Sequence, residues 1–228
     1  MIKALVTDVD GTITDGKRQV HLKAVEGLRL LERTGIPVML ATGNVEPIAK
    51  GLSTYMGTSG PIIAENGGVV SYKGRRSILS DRTKPDIAFE HVSKHLSVRK
   101  VDTDLWRVTE VALIMDVSVE EVRKLLQNFE GVKVNTTGFA IHIHNSGINK
   151  GSALEVACSL LNVDLEEIVA IGDSENDIEM IEKAGMGVAV KNASSKLRDR
   201  ADITLEEGGG EGFYEFMEDL VSRGQKRY

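Results

Sequence analysis

Short apolar runs, each ending in polar or glycine-rich residues, recur at both ends of this chain. Ala4, Leu5 and Val6 read as a buried strand that runs directly into Asp8 and Asp10. Leu22, Val25, Leu28 and Leu31 fall at helical spacing over residues 21–34, and Gly35 is a plausible stop. A second strand is expected over 36–41. A helix follows from Pro47, tolerated in a first turn, to about residue 56. A third strand covers 61–64, and Glu65-Asn66-Gly67-Gly68 gives a hairpin signal before a fourth at 69–72.

The last third alternates in the same way. Ala153, Leu154, Ala157, Leu160 and Leu161 mark a helix, then come a strand at 168–171 and a helix near 176–184. Strands at 187–190 and 203–205 and a helix around 213–221 complete the chain. Strand–helix–strand repetition implies a parallel sheet with helices on both faces. The middle reads differently. Helices near 87–96 and 120–129 accompany a strand near 108–117 and two strands, 132–136 and 139–144, joined at Thr137-Gly138. Adjacent strands with a short turn suggest a small antiparallel sheet backed by two helices. The expected organisation is therefore an α/β core made of residues 1–81 and 150–228, with a small α+β unit inserted at 82–149.

Composition narrows the function classes. A net charge of -6 over 228 residues argues against nucleic-acid binding, which needs a basic face. The single cysteine, Cys158, lies in an apolar helical pattern and reads as an inert buried thiol in a reducing compartment. No secretory pattern opens the chain and no apolar run approaches membrane-spanning length, so the expectation is a cytoplasmic protein without a membrane partner. A monomer and a homodimer are equally compatible with the sequence.

Ligands of open parallel sheets bind outside the carboxyl ends of the strands, which turns scattered polar residues into one constellation. The first strand ends at Asp8-Val9-Asp10-Gly11-Thr12, the second at Thr42-Gly43-Asn44, and the 168–171 strand at Gly172-Asp173-Ser174-Glu175-Asn176-Asp177. Asn149-Lys150-Gly151 opens the helix after the insertion and can bring an ammonium to the same edge. Carboxylates packed this closely repel, by about 4 kcal/mol for a pair at ~4 Å and an effective dielectric near 20. A divalent cation relieves that repulsion, and an all-oxygen ligand set points to Mg2+ rather than zinc.

Asp8-x-Asp10-Gly11-Thr12, Thr42, Lys150 and Gly172-Asp173-x-x-x-Asp177, in that order, resemble the motifs of the haloacid dehalogenase-like phosphatases. The insertion between the Thr42 and Lys150 motifs resembles the type IIB cap, so the resemblance covers the whole chain. It implies a Rossmann-like doubly wound core carrying a small α+β cap. The short chain and Glu65-Asn66-Gly67-Gly68 look most like the archaeal-type phosphoglycolate phosphatases, with similarity also to sugar phosphatases bearing this cap. One position departs from the pattern: Asn44 stands where arginine often follows Thr-Gly.

The resemblance implies a Mg2+-dependent phosphatase acting on a small phosphorylated metabolite, with 2-phosphoglycolate first among candidates. It makes Asp8 the nucleophile and Asp10 the general acid and base. Mg2+ would be held by the Asp8 carboxylate, the Asp10 backbone carbonyl and Asp173, with Asp177 binding directly or through water. Thr42, Gly43 and Lys150 would receive the phosphoryl oxygens. A sugar-phosphate phosphatase, a phosphomutase and a non-catalytic phosphate-binding module are the alternatives.

Blander readings apply to other residues. Asp8-x-Asp10 fails as an EF-hand loop, because Thr12 and Ile13 stand where a ligand and glycine are needed. His142 and His144 alternate on one strand face and read as cap histidines facing the substrate entrance. Trp106 and Phe139 are expected in the cap core, and residues 206–212 as a solvated loop. Hinges are expected near 81–85 and 147–150.

Overall fold

The computed structural model describes residues 2–225. Its larger sheet has eight strands in the order β11-β10-β9-β1-β2-β3-β4-β5. These are β1 Ala4–Asp8, β2 Val38–Ala41, β3 Ile62–Ala64, β4 Val69–Tyr72, β5 Arg75–Ile78, β9 Ile168–Gly172, β10 Met186–Ala189 and β11 Ile203–Thr204. All neighbours from β11 to β3 are parallel, whereas β3, β4 and β5 form antiparallel hairpins. Every residue of β1, β2 and β9 is buried, the mark of strands covered on both faces. Helix α1 (Leu22–Arg33) packs on α8 (Gly209–Gln225), and α5 (Lys150–Leu161) on α6 (Ile178–Lys183). Helices α2 (Glu46–Met56) and α7 (Ser195–Arg198) complete this layer set.

β1 lies between β2 and β9, so the chain leaves it in one direction early and returns on its other side late. This switch point opens a crevice at the carboxyl ends of β1 and β9, where Asp8 and Asp173 stand side by side.

The smaller sheet has the order β6-β8-β7, from β6 Glu110–Ile114, β7 Val132–Thr136 and β8 Ala140–Asn145, all antiparallel. Helices α3 (Thr83–Ser93) and α4 (Val119–Leu126) cover one face. Ala88, Val92, Val111, Leu113, Val122, Leu126, Ile141 and Ile143 form its own hydrophobic cluster, separate from that of the larger sheet. The two connecting segments are tied where they cross: Asn145 Nδ2 donates to Ser80 Oγ at 2.5 Å and to the Asp81 carbonyl at 2.8 Å. Among the described residues, no helix is long and apolar enough to cross a membrane.

Several local expectations need correction. Strand β5 carries no apolar pattern, because it is a mostly exposed edge of two arginines and a serine before Ile78. The run at residues 208–212 is not all loop, since α8 begins at Gly209. Trp106 is 50% exposed and Phe139 only half-buried, and neither belongs to the smaller cluster. His142 and His144 are buried (0% and 2% exposed) rather than facing an entrance.

Candidate active site

Four segments meet at the carboxyl edge of the larger sheet. Asp8 ends β1 and is buried, and Lys150 is the first residue of α5. Asn149 caps that helix, accepting from the Ser152 amide at 2.7 Å, which fixes where Lys150 enters the site. The Lys150 ammonium, with no solvent exposure, donates to Asp8 Oδ1 at 2.5 Å and to Asp177 Oδ1 at 2.6 Å. Burial works against its charge, but Asp177 and Asp8 outweigh it and hold the amine above the usual lysine range.

Asp177 spends its other oxygen on the chain itself. Oδ2 accepts from the Asp173 and Ser174 amides, both at 3.1 Å, and so shapes the loop that presents Asp173. Asp8 Oδ2 and Asp173 Oδ1 are different: both are buried with no hydrogen-bond partner. Burial, with Asp177 beside it, raises the Asp173 carboxyl to about 7. Burial likewise pushes Asp8 up against the pull of Lys150. Oxygens of Asp8, Asp173 and Asp177 lie within 4.8 Å of one another. Orphaned buried acceptors are rare. Two of them in one all-oxygen cluster fit a divalent cation. Gly11 makes this approach possible. Its φ is +92°, and a Cβ there would lie 2.4 Å from Asp173 Oδ2.

Asp10 faces the same cavity but is held by other partners. It accepts from Arg18 Nε at 2.7 Å and from Asn44 Nδ2 at 2.8 Å. Thr42 is fully buried, and its hydroxyl accepts from the Asn44 amide at 3.0 Å, leaving its own proton to donate. Gly43 lies under the turn between β7 and β8, and its carbonyl accepts from Arg107 Nη1 at 2.9 Å. The cavity bounded by Asp8, Asp10, Gly43, Asp173 and Thr137 has a volume of about 680 Å³, within the range of small-molecule sites. Asp8, Asp10, Gly43 and Asp173 therefore line it directly, whereas Thr42, Lys150 and Asp177 stand behind its wall.

Sequence reasoning missed a second buried network that joins the two sheets. The turn after β3 holds Glu65, Asn66 and Gly67 at φ of 50°, 53° and 104°. Positive φ at a buried glutamate is strained and survives only where neighbours enforce it. Here Glu65 accepts from the Thr109 hydroxyl at 2.7 Å and the Thr109 amide at 2.9 Å. Asn66 donates to Glu110 at 2.9 Å and accepts from Asn176 at 3.1 Å. Glu110 also meets Arg107 and, at 2.8 Å, His142 Nδ1. His142 Nε2 lies 2.9 Å from the Thr137 hydroxyl, one residue behind the cavity wall. No local motif announces these partners. Arg18 did leave a signal: a site lacking the arginine after Thr-Gly invites a cation from elsewhere.

A family model described as haloacid dehalogenase-like hydrolase matches residues 5–116 and 108–217. The phosphoglycolate phosphatase of Methanothermobacter thermautotrophicus is 44% identical over 214 residues, 94% of this chain and 96% of that protein. The phosphoglycolate phosphatase of Archaeoglobus fulgidus is 40% identical over 220 residues, 96% of each chain. A crystal structure from Thermoplasma acidophilum superposes with a TM-score of 0.90 at 29% identity, covering 97% of this chain and 99% of that one. A haloacid dehalogenase-like hydrolase from Bacteroides thetaiotaomicron shares the fold, with a TM-score of 0.78 at 21% identity over 96% of this chain and all of that one. With that family model spanning nearly its whole length and relatives aligned end to end, this chain belongs to the haloacid dehalogenase-like hydrolases.

Proposed function

We propose that this enzyme is a Mg2+-dependent phosphatase that hydrolyses 2-phosphoglycolate to glycolate and inorganic phosphate. The observation that carries this reading is the unpartnered Asp8 Oδ2, buried beside the unpartnered Asp173 Oδ1 at the floor of the cavity. The substrate follows the phosphoglycolate phosphatases to which this chain is similar along nearly its whole length. The reading divides the chain into a core of residues 1–81 and 150–228 and a cap of residues 82–149, which has its own hydrophobic cluster.

In this reading a carboxylate oxygen of Asp8 attacks phosphorus, the bond from phosphorus to the leaving oxygen breaks, and an aspartyl-phosphate forms on Asp8. The Asp10 carboxyl gives its proton to the departing alkoxide. It then takes a proton from the water that attacks the acyl phosphate, which releases inorganic phosphate and restores Asp8. Arg18 and Asn44 fix the Asp10 rotamer for both transfers. Lys150 donates to Asp8 Oδ1 and so fixes the orientation of the attacking carboxylate. The Thr42 proton and the backbone around Gly43 receive phosphoryl oxygens. Asp8, the Asp10 carbonyl and Asp173 would hold Mg2+, with Asp177 positioning the loop. The ion, when bound, offsets the repulsion between the phosphate and the carboxylates.

Phosphate release from 2-phosphoglycolate, measured with and without Mg2+ after chelation, tests the reading. Turnover restored by Mg2+ supports it. A hexose phosphate preferred by a wide margin would overturn the substrate, and an isomeric ester as product would replace hydrolysis with phosphoryl transfer.

A further inference from the structure

Arg18 sits in the turn that follows the Asp8–Thr12 motif, and the chemistry above uses it only to hold Asp10. The turn is built to present it. Asp15 Oδ1 accepts from the Lys17 amide at 2.8 Å and the Gln19 amide at 2.9 Å, and the Arg18 amide donates to the Asp15 carbonyl at 2.9 Å. These bonds hold Arg18 at φ +62°, a conformation rarely adopted by a residue with a side chain. Strain of about 1–3 kcal/mol maintained at a cavity wall is a pointer to function.

The guanidinium is placed as deliberately. Nε donates to Asp10 Oδ1 at 2.7 Å and Nη2 to Asn44 Oδ1 at 3.2 Å. Its carbon lies 4.0 Å from the centroid of the Phe139 ring, which the cap contributes and which packs edge-on against His142. The Arg18 side chain remains 43% exposed, whereas Asp10 is 8% exposed. An arginine carries five donors in a planar fork. No hydrogen bond to Nη1 occurs among the described residues, so the face of the fork turned away from Asp10 is open.

The other cations near the cavity do not offer this. Lys150 is wholly buried between Asp8 and Asp177, and Arg107 is wholly buried on Gly43 and Glu110. His21 and Lys191 also line the cavity, beside Gly208 and Gly209, and neither is bonded to Asp10. Arg18 alone among the described cations is bonded to Asp10, the residue that protonates the leaving oxygen in the proposed reaction. A leaving group protonated by Asp10 therefore departs beside a guanidinium with open N–H groups.

We propose that Arg18, stacked on Phe139 and braced by Asn44, is the clamp for a carboxylate on the leaving group, and that it selects small phosphate monoesters carrying an acid on the adjacent carbon. This rests on the substrate reading above and assigns it a residue. Asn44 then has a reason to stand where arginine is usual. It fastens a cation supplied by the preceding loop instead of being one. Phe139 links the clamp to the cap without adding a second charge.

Binding separates the clamp from catalysis. Ethyl phosphate is 2-phosphoglycolate with a methyl group in place of the carboxylate. Titration calorimetry with Mg2+ in the Asp8→Asn background, which cannot form the acyl phosphate, gives Kd for both compounds. Adding Arg18→Met keeps an apolar stem on Phe139 but removes the fork. It is expected to weaken 2-phosphoglycolate about 100-fold, as loss of a charge-assisted bidentate pair does, and ethyl phosphate by less than about threefold. Arg18→Lys is expected to fall between, since it restores charge without the fork. Equal weakening of both compounds would reduce Arg18 to a positioning residue for Asp10. No change in either, or failure of 2-phosphoglycolate to bind at all, would overturn the clamp. The outcomes stay distinct from those of the functional reading. A chain that binds 2-phosphoglycolate through Arg18 but releases no phosphate loses the reaction and keeps the clamp. One that hydrolyses it with Kd unmoved by Arg18→Met keeps the reaction and loses the clamp.

Discussion

Two groups of ionisable side chains are buried in this molecule, and they are built on opposite plans. At the sheet edge, Asp8 and Asp177 share the ammonium of Lys150 with Asp173 close beside them, and carboxylate oxygens of Asp8 and Asp173 are left without partners. Between the sheets, Glu110 is closed by Arg107, His142 and Asn66, and the atoms left over are donors, Arg107 Nε and Nη2. The same side-chain chemistry at similar burial is driven in opposite directions. Burial raises Asp173 to about 7, whereas at Glu110 the charges of His142 and Arg107 overcome burial and hold the carboxyl down to about 2. A cluster with open acceptors is a receptor for a cation; one whose acid is already matched is a joint. In the proposed reading the first carries the chemistry, while the second holds Thr137 and Gly43 beside the cavity.

Substitutions break this comparison in different currencies. The largest effect is expected for Asp8→Asn, with phosphate release falling at least about 1,000-fold as the nucleophile is lost. The variant should stay folded by circular dichroism, since Lys150 keeps Asp177. Activity surviving near the wild-type level would remove Asp8 from the chemistry. Glu110→Gln should do the reverse in kind. It strands the buried Arg107 charge and is expected to cost roughly 3–5 kcal/mol in urea unfolding, the range for breaking a buried ion pair from one side. A loss below about 1 kcal/mol would make the joint dispensable.

A smaller effect belongs to the cation. Saturating Mg2+ should stabilise the wild type by about 2.7 kcal/mol at 100 times its Kd, and Asp173→Asn should abolish most of that gain. A thermal shift that Asp173→Asn leaves intact would place the ion elsewhere. A pH effect tests the joint directly. The Glu110 carboxyl is depressed in the folded state, so the unfolded chain takes up its proton first as pH falls. The stabilisation is complete above the ordinary glutamate range near pH 4.5 and drains away toward pH 2. Glu110→Gln should flatten the stability profile across that window. Parallel profiles for the two proteins would contradict the depressed value.

Much of the first cluster was legible in the sequence because each of its residues follows a short apolar run. A run that must be a buried parallel strand places whatever follows it at one sheet edge, which located Asp8, Thr42 and Asp173 together. Asn149 ahead of an apolar helix placed Lys150. The second cluster was not legible. Asn66 and Glu110 are 44 positions apart, Arg107 and Gly43 64, and Asn176 and Asn66 110, so no spacing rule connects them. Trp106 and Phe139 were misread for a related reason: an aromatic residue signals burial against something, and sequence does not say whether that is a core or the rim of a site.

What the sequence by itself determined is the alternation of strands and helices at both ends of the chain and an excess of carboxylates that no fold could bury without a counter-charge. Hydrophobic periodicity and Coulomb repulsion act along the chain and need no coordinates. Tertiary structure alone decided which of those carboxylates keep an open oxygen, that Arg18 is turned by a left-handed residue onto Phe139, and that Glu65 and Asn66 lock the two sheets together. Those outcomes depend on distances between side chains brought together from separate elements, and a hydrogen bond is satisfied or left open only once both partners have a place.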